Sequence, residues 1–186
     1  MQAFIVSLAV VALAEFGDKT QLLALVLGTR YRRPVPVVLG ICAATIFNHT
    51  LAGAVGAWIA RAVGAERMRL ILALSFIGMA VWALIPDKLG EQKPSAPRFG
   101  IFGTTLIAFF LVEMGDKTQI ATAALAARYG TLVPVVAGTT LGLLLVDVPT
   151  VLLGDQIARR VPLRAVHVSA ALIYLGLAAL LLLRAG

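Results

Sequence analysis

The chain has 186 residues, 60% of them hydrophobic and 13% charged, with a mean hydropathy of +0.96; water-soluble domains run near 45–50% apolar and about 25% charged. That excess excludes a soluble globular enzyme, and at roughly 20 apolar residues per bilayer crossing the length allows about six or seven crossings with nothing left for an extramembrane domain. The net charge of +7 does not indicate nucleic acid, because no basic stretch is long enough or interleaved with aromatics to track a backbone, whereas short cytoplasmic loops of membrane proteins gather Lys and Arg for topological reasons.

Hydropathy, punctuated by basic and Pro/Gly clusters, predicts spans near 3–28, 35–60, 68–86, 100–127, 133–158 and 165–184. The first begins apolar at Met1–Ala14 without the basic n-region of a signal peptide and continues past charged residues to Leu27, so it reads as a retained helix. The second carries the single cysteine, Cys42, which rules out an internal disulfide and any multi-cysteine metal site. Between the third and fourth lies a polar stretch with Asp87, Lys88, Glu91, Gln92, Lys93, Pro94 and Pro97, the composition of a linker. The fifth holds Asp147 and Pro149, and the sixth follows Arg159, Arg160 and Arg164.

The linker separates two copies of one sequence. Glu15, Gly17, Asp18, Lys19, Thr20 and Gln21 recur as Glu113, Gly115, Asp116, Lys117, Thr118 and Gln119, an offset of 113 − 15 = 98. Arg30-Tyr31, Pro36-Val37-Val38, Gly40, Gly56, Arg61 and Gly78 repeat in the same register, which chance identity between apolar sequences would not produce. Three crossings per copy is an odd number, so the second copy enters the bilayer from the opposite side. The expected fold is therefore all-α: a polytopic membrane protein of six helices in two inverted three-helix repeats, 1–86 and 99–186, joined by the linker 87–98.

Lys and Arg number nine in the loops after spans one, three and five and five on the other face, Arg61, Arg67, Arg69, Arg128 and Arg184. The richer face is expected to be cytoplasmic, with both termini outside.

Glu15, Asp18 and Lys19 lie midway along the first span, and Glu113, Asp116 and Lys117 at the same depth in the fourth. At about 2.5–3.5 kcal/mol each, six such groups facing lipid would cost on the order of 15–20 kcal/mol, so they must face one another or a water-filled cavity. In a continuous helix, Glu and Asp at i, i+3 share a face, Gln21 or Gln119 adds an amide oxygen nearby, and each Lys at i+4 is placed to neutralise its own Glu. Gly17 and Gly115 leave the backbone open to close approach or local unwinding. Four carboxylates and two amides are hard oxygen donors suited to Mg²⁺, Ca²⁺ or Mn²⁺. The six charges sum to −2, which one divalent cation or two protons would balance, and competition for the same carboxylates is a simple basis for exchange.

Glu15-Phe16-Gly17-Asp18-Lys19-Thr20 and Glu113-Met114-Gly115-Asp116-Lys117-Thr118 resemble the signature of the Gdt family of small cation/proton exchangers, and the resemblance covers essentially the whole chain. It implies exchange of Mn²⁺ or Ca²⁺, as transported substrate and not cofactor, for protons, with Glu15, Asp18, Glu113 and Asp116 as ligands. The short linker and the lack of an organelle-targeting extension favour the bacterial, manganese-exporting members of that family and an inner-membrane location. A proton-coupled exporter of another small cationic solute and a passive cation channel are the alternatives. Metal ion, protons and membrane lipid are the expected partners; the sequence leaves a homo-oligomer open.

In the repeat alignment His49 stands opposite Asp147, since 49 + 98 = 147. Asp147 reads as a fifth acid or a proton relay, or else as bonded to His49 or to backbone freed by Pro149; His49 joins it as a charge-balancing or proton-coupling candidate. Cys42 and His49 share a helix face, but apolar-helix Cys usually serves packing. His167 is expected to be interfacial, Trp58 and Trp82 to be span-end anchors, and Gly53, Gly56, Gly138 and Gly142 to mark close helix packing. Gly-Asp-Lys-Thr lacks the spaced glycine and Gly-Lys-Ser/Thr ending of a phosphate loop.

Overall fold

The computed structural model describes residues 1–85, 99–154 and 163–183. Among these all regular structure is helical: α1 (Gln2–Glu15), α2 (Lys19–Tyr31), α3 (Pro34–Val63), α4 (Ala65–Ala83), α5 (Gly100–Glu113), α6 (Lys117–Tyr129), α7 (Leu132–Leu153) and α8 (Leu163–Leu183). The expected linker 87–98, and with it Lys88, Lys93 and Arg98, lies outside the described residues, as do Arg159, Arg160 and Arg184.

Helices α3, α7 and α8 are each long and apolar enough to cross a membrane. Helices α1 and α5 are as apolar but have only 14 residues, about 21 Å of helix against a hydrocarbon core of about 30 Å. Each reaches further only by continuing, after a three-residue break, into α2 or α6. The expected uninterrupted spans 3–28 and 100–127 are thus each two helices. The break falls at Gly17 (φ +75°) and Gly115 (φ +76°), a backbone region that interrupts a right-handed helix and that glycine alone adopts without a Cβ penalty.

The helix bounds recur at the offset of 98: 2, 15, 19, 31 and 34 in the first part of the chain become 100, 113, 117, 129 and 132 in the second. Packing is crossed between the two parts. Helix α1 lies on α7, where a Cβ on Gly138 would sit 2.4 Å from the Phe4 carbonyl and one on Gly142 2.6 Å from that of Leu8. Helix α5 lies on α3 through the equivalent contact, Gly40 against the Phe102 carbonyl at 2.9 Å. Small residues let backbones approach where lipid offers no hydrophobic drive for association, so these glycines and Gly56, whose added Cβ would lie 2.1 Å from the Ala123 carbonyl of α6, serve as expected. Helices α4 and α8 meet through Phe76 and Tyr174, stacked at 6.2 Å and 22°; 76 + 98 = 174, so one repeat position packs on its own counterpart. Outward residues such as Leu39, Phe47, Leu141 and Leu145 are apolar and exposed, as a bilayer-facing surface requires.

Candidate metal-ion site

Each charged hexapeptide folds as a turn between two helices. Phe16 (φ −62°, ψ 121°) and Gly17 (φ +75°) bring the Asp18 amide to 3.1 Å from the Glu15 carbonyl. Met114 (φ −64°, ψ 119°) and Gly115 (φ +76°) do the same for Asp116 and Glu113 at 3.0 Å. These are type II turns, whose third residue needs positive φ, hence Gly. Glu ends the first helix and Asp takes the N-cap position of the next, where the helix N-terminus favours negative charge. Gln21 Oε1 accepts the Gly17 amide at 2.7 Å and Gln119 Oε1 that of Gly115 at 2.6 Å, so both amide oxygens hold the break. Thr20 donates to Glu15 and lies 3.2 Å from Asp18 Oδ2; Thr118 lies 3.4 Å from Asp116 Oδ2.

Because the helix ends between them, Glu and Asp do not share one helical face, and the Lys no longer follows its Glu at helical i, i+4 spacing. Neither lysine neutralises its own glutamate. Lys19 Nζ instead lies 3.3 Å from Asp116 Oδ1, and Lys117 Nζ 3.6 Å from Asp18 Oδ1. The two crossed pairs join the motifs. Lys117, the less exposed of the lysines (8% against 27%), also donates to the Ile85 carbonyl at 3.2 Å and sits 5.8 Å above the Trp82 ring. Trp82 therefore belongs to the site, whereas Trp58 is exposed near the end of α3.

Glu15, Glu113, His49 and Asp147 are fully buried, and Asp18 and Asp116 are 1% exposed. Glu113 is held by α3: Oε2 accepts from Asn48 Nδ2 at 3.0 Å and Oε1 lies 3.1 Å from His49 Nε2. Asn48 also donates to the Phe110 carbonyl at 3.1 Å and meets Gln119 Nε2 at 3.4 Å. His49 thus pairs with Glu113 and not with Asp147, and the Asp147 oxygens have no hydrogen-bond partner among the described residues. Cys42, half-buried, lines an apolar groove of about 420 Å³ between α3 and α7 with Ile46 and Val136. His167 is not simply interfacial: a ring nitrogen lies 3.0 Å from the Phe16 carbonyl, which the turn releases from helical bonding.

Sequence reasoning assigned no role to Tyr174, Thr150 or the Phe16 carbonyl. Tyr174 is 1% exposed and its hydroxyl has no hydrogen-bond partner among the described residues, and Thr150 accepts from Gln21 Nε2 at 3.2 Å. The available signal was a polar residue at one repeat position only: Tyr174 against Phe76, Asn48 against Val146. Among the described residues, no three His, Cys, Asp or Glu side chains are gathered closely enough to hold one metal ion together. The acids are distributed over the two turns and α7, with a lysine on each motif Asp.

A family profile described as divalent cation/proton antiporter GDT1 matches residues 3–91 and 101–186. A Vibrio cholerae protein carrying the provisional name of manganese exporter is 47% identical over 164 residues, covering 88% of this chain and 82% of the relative. A GDT1-like protein of Synechocystis is 31% identical, covering 94% and 93%, and GDT1-like protein 5 of Arabidopsis thaliana is 28% identical, covering 94% and 92%. No solved structure matches the chain.

Proposed function

The chain belongs to the GDT1 family of divalent cation/proton antiporters, membrane transporters and not enzymes, and from that premise we propose that it exports Mn²⁺ in exchange for protons, with Ca²⁺ as the alternative cargo. The name of the Vibrio relative supports manganese; the oxygen donors suit either ion. The observation that carries the reading is the crossed pairing of Lys19 with Asp116 and Lys117 with Asp18. Each motif aspartate has the lysine of the other motif as its partner, so a divalent ion arriving at the two aspartates competes with both lysines at once.

In this reading Glu15, Asp18, Glu113 and Asp116 supply the carboxylates, Gln21 and Gln119 add amide oxygens, and Lys19 and Lys117 balance charge. Asp147 and His49 are the candidates for proton coupling, and Gly17, Thr20, Gly115 and Thr118 shape the turns. The motif charges sum to −2, and moving a net charge through a low-dielectric barrier is unfavourable. The crossing forms are then those neutralised by one divalent cation or two protons, and exchange is close to electroneutral. The six-crossing arrangement as inverted repeats 1–86 and 99–186, both termini outside a bacterial inner membrane, is part of the proposal. The recurrence of helix bounds at an offset of 98 and the crossed packing of α1 on α7 and α5 on α3 support it.

The test is metal-driven proton release in proteoliposomes with the membrane potential clamped. Wild type should couple Mn²⁺ or Ca²⁺ flux to protons, and Asp18→Asn or Asp116→Asn should abolish both while the protein stays folded. Metal flux without proton counterflow would mark a channel, and proton-coupled flux of organic cations alone an exporter of another solute.

A further inference from the structure

The two motifs are alike, but the helices facing them are not. Position 48 of α3 corresponds to 146 of α7, and 49 to 147, so Asn48 and His49 face one turn while Val146 and Asp147 take their places at the other. The consequence is on the glutamates. Glu113 Oε2 accepts from Asn48 Nδ2 at 3.0 Å, and Oε1, though without a hydrogen bond among the described residues, has His49 Nε2 beside it at 3.1 Å. Glu15 has Thr20 on Oε1, while Oε2 has no hydrogen-bond partner among the described residues. Asp147 has none on either oxygen, and both residues are fully buried.

The contacts at Gly138 and Gly142 pair Phe4 with 138 and Leu8 with 142, a parallel register that brings Leu13 level with 147 and Glu15 half a turn beyond. Helical side chains lean toward the N-terminus, so Glu15 leans back toward the level of Asp147. Three buried carboxylate oxygens without a hydrogen-bond partner among the described residues, one of Glu15 and two of Asp147, thus lie at neighbouring levels of the packed pair α1 and α7. A buried charge without a partner is strongly unfavourable, and apolar packing of α7 on α1 requires no carboxylate at 147.

We infer that the transported cation is seated asymmetrically, on the α1/α7 side of the site by Glu15 and Asp147, while Glu113 is an anchor tied to α3 by Asn48 and His49. The ligand class is a hard divalent cation taking carboxylate oxygens. The assignment rests on the transport reading above and revises its ligand set, moving Asp147 from proton coupling to the cation seat and Glu113 from ligand to anchor.

Mn²⁺ binding to the purified protein in detergent, followed by loss of the free-ion electron paramagnetic resonance signal, tests it without reference to transport. Asp147→Asn, the same size without the charge, should weaken Mn²⁺ binding at least tenfold, and Glu15→Gln should weaken it at least tenfold more than Glu113→Gln does. Asp147→Glu is the second variant if Asn impairs folding; it should bind, with an altered preference for Ca²⁺ over Mn²⁺. Monodisperse elution and a Mn²⁺-free unfolding midpoint establish that each variant is folded. Wild-type affinity in Asp147→Asn, or an unshifted ion preference in Asp147→Glu, would overturn the Asp147 assignment alone, and equal losses in Glu15→Gln and Glu113→Gln would overturn the asymmetry. Wild-type protein that binds neither Mn²⁺ nor Ca²⁺ would overturn the transport reading and this seat with it.

Discussion

Gly115→Ala isolates the backbone cost of the turn. A Cβ built on Gly115 meets nothing within 4 Å, so the substitution adds no clash, and the hydrogen bond from its amide to Gln119 needs no side chain. What remains is φ +76°, where an L-residue with a Cβ costs roughly 1–2 kcal/mol, or about 5–30-fold in the ratio of folded to unfolded protein. Gly78 of α4 and Gly176 of α8 provide the control: a Cβ there also meets nothing within 4 Å, at ordinary helical φ, and Gly→Ala should be neutral or stabilising by up to about 1 kcal/mol. Asn tolerates positive φ better than Ala, so Gly115→Asn should fall between wild type and Gly115→Ala. The assay is denaturant unfolding of the purified protein in mixed micelles, followed by helical circular dichroism. Equal stability of wild type and Gly115→Ala, or an equal loss in Gly78→Ala, would refute the turn as the reason for glycine in the motif.

At Gly56, by contrast, a Cβ would lie 2.1 Å from the Ala123 carbonyl, so Gly56→Ala should force α3 from α6 and cost more than Gly115→Ala, roughly 2 kcal/mol or above by the overpacking scale, in the same unfolding assay. Lys117→Gln should destabilise more than Lys19→Gln, because Lys117 is the more buried and loses the Ile85 carbonyl and Trp82 contacts as well as Asp18; the unfolding midpoints of the two variants check the order. In vesicles, Lys19→Gln should take the motif charge to −3, tighten metal retention and slow release, read as a lower KM with a lower maximal flux. Cysteines introduced near Arg32 and Arg128 should label from opposite sides of the membrane, and labelling of both from one side would remove the inverted arrangement.

Composition alone places this chain in a bilayer, because 60% apolar residues leave no way to fold in water, and a charged hexapeptide repeated at a fixed offset marks the candidate site. Hydropathy also located α3, α4 and α8 to within three residues and the start of α7 to within one, while the expected end of that span at 158 lies outside the described residues. Hydropathy could not show that the motif is a turn: apolar residues continue on both sides of Gly17 and Gly115, and a hydropathy window averages across a three-residue break. Once the helix is interrupted, spacing along the sequence no longer states who meets whom. Lys19 stands four residues from Glu15 and finds Asp116, 97 residues away; His167, expected at an interface, reaches the Phe16 carbonyl. These partners were decided by crossed packing, since glycines on α7 and α3 draw α1 and α5 against the opposite half of the chain, and a buried charge takes the nearest counter-charge in space irrespective of its place in the sequence.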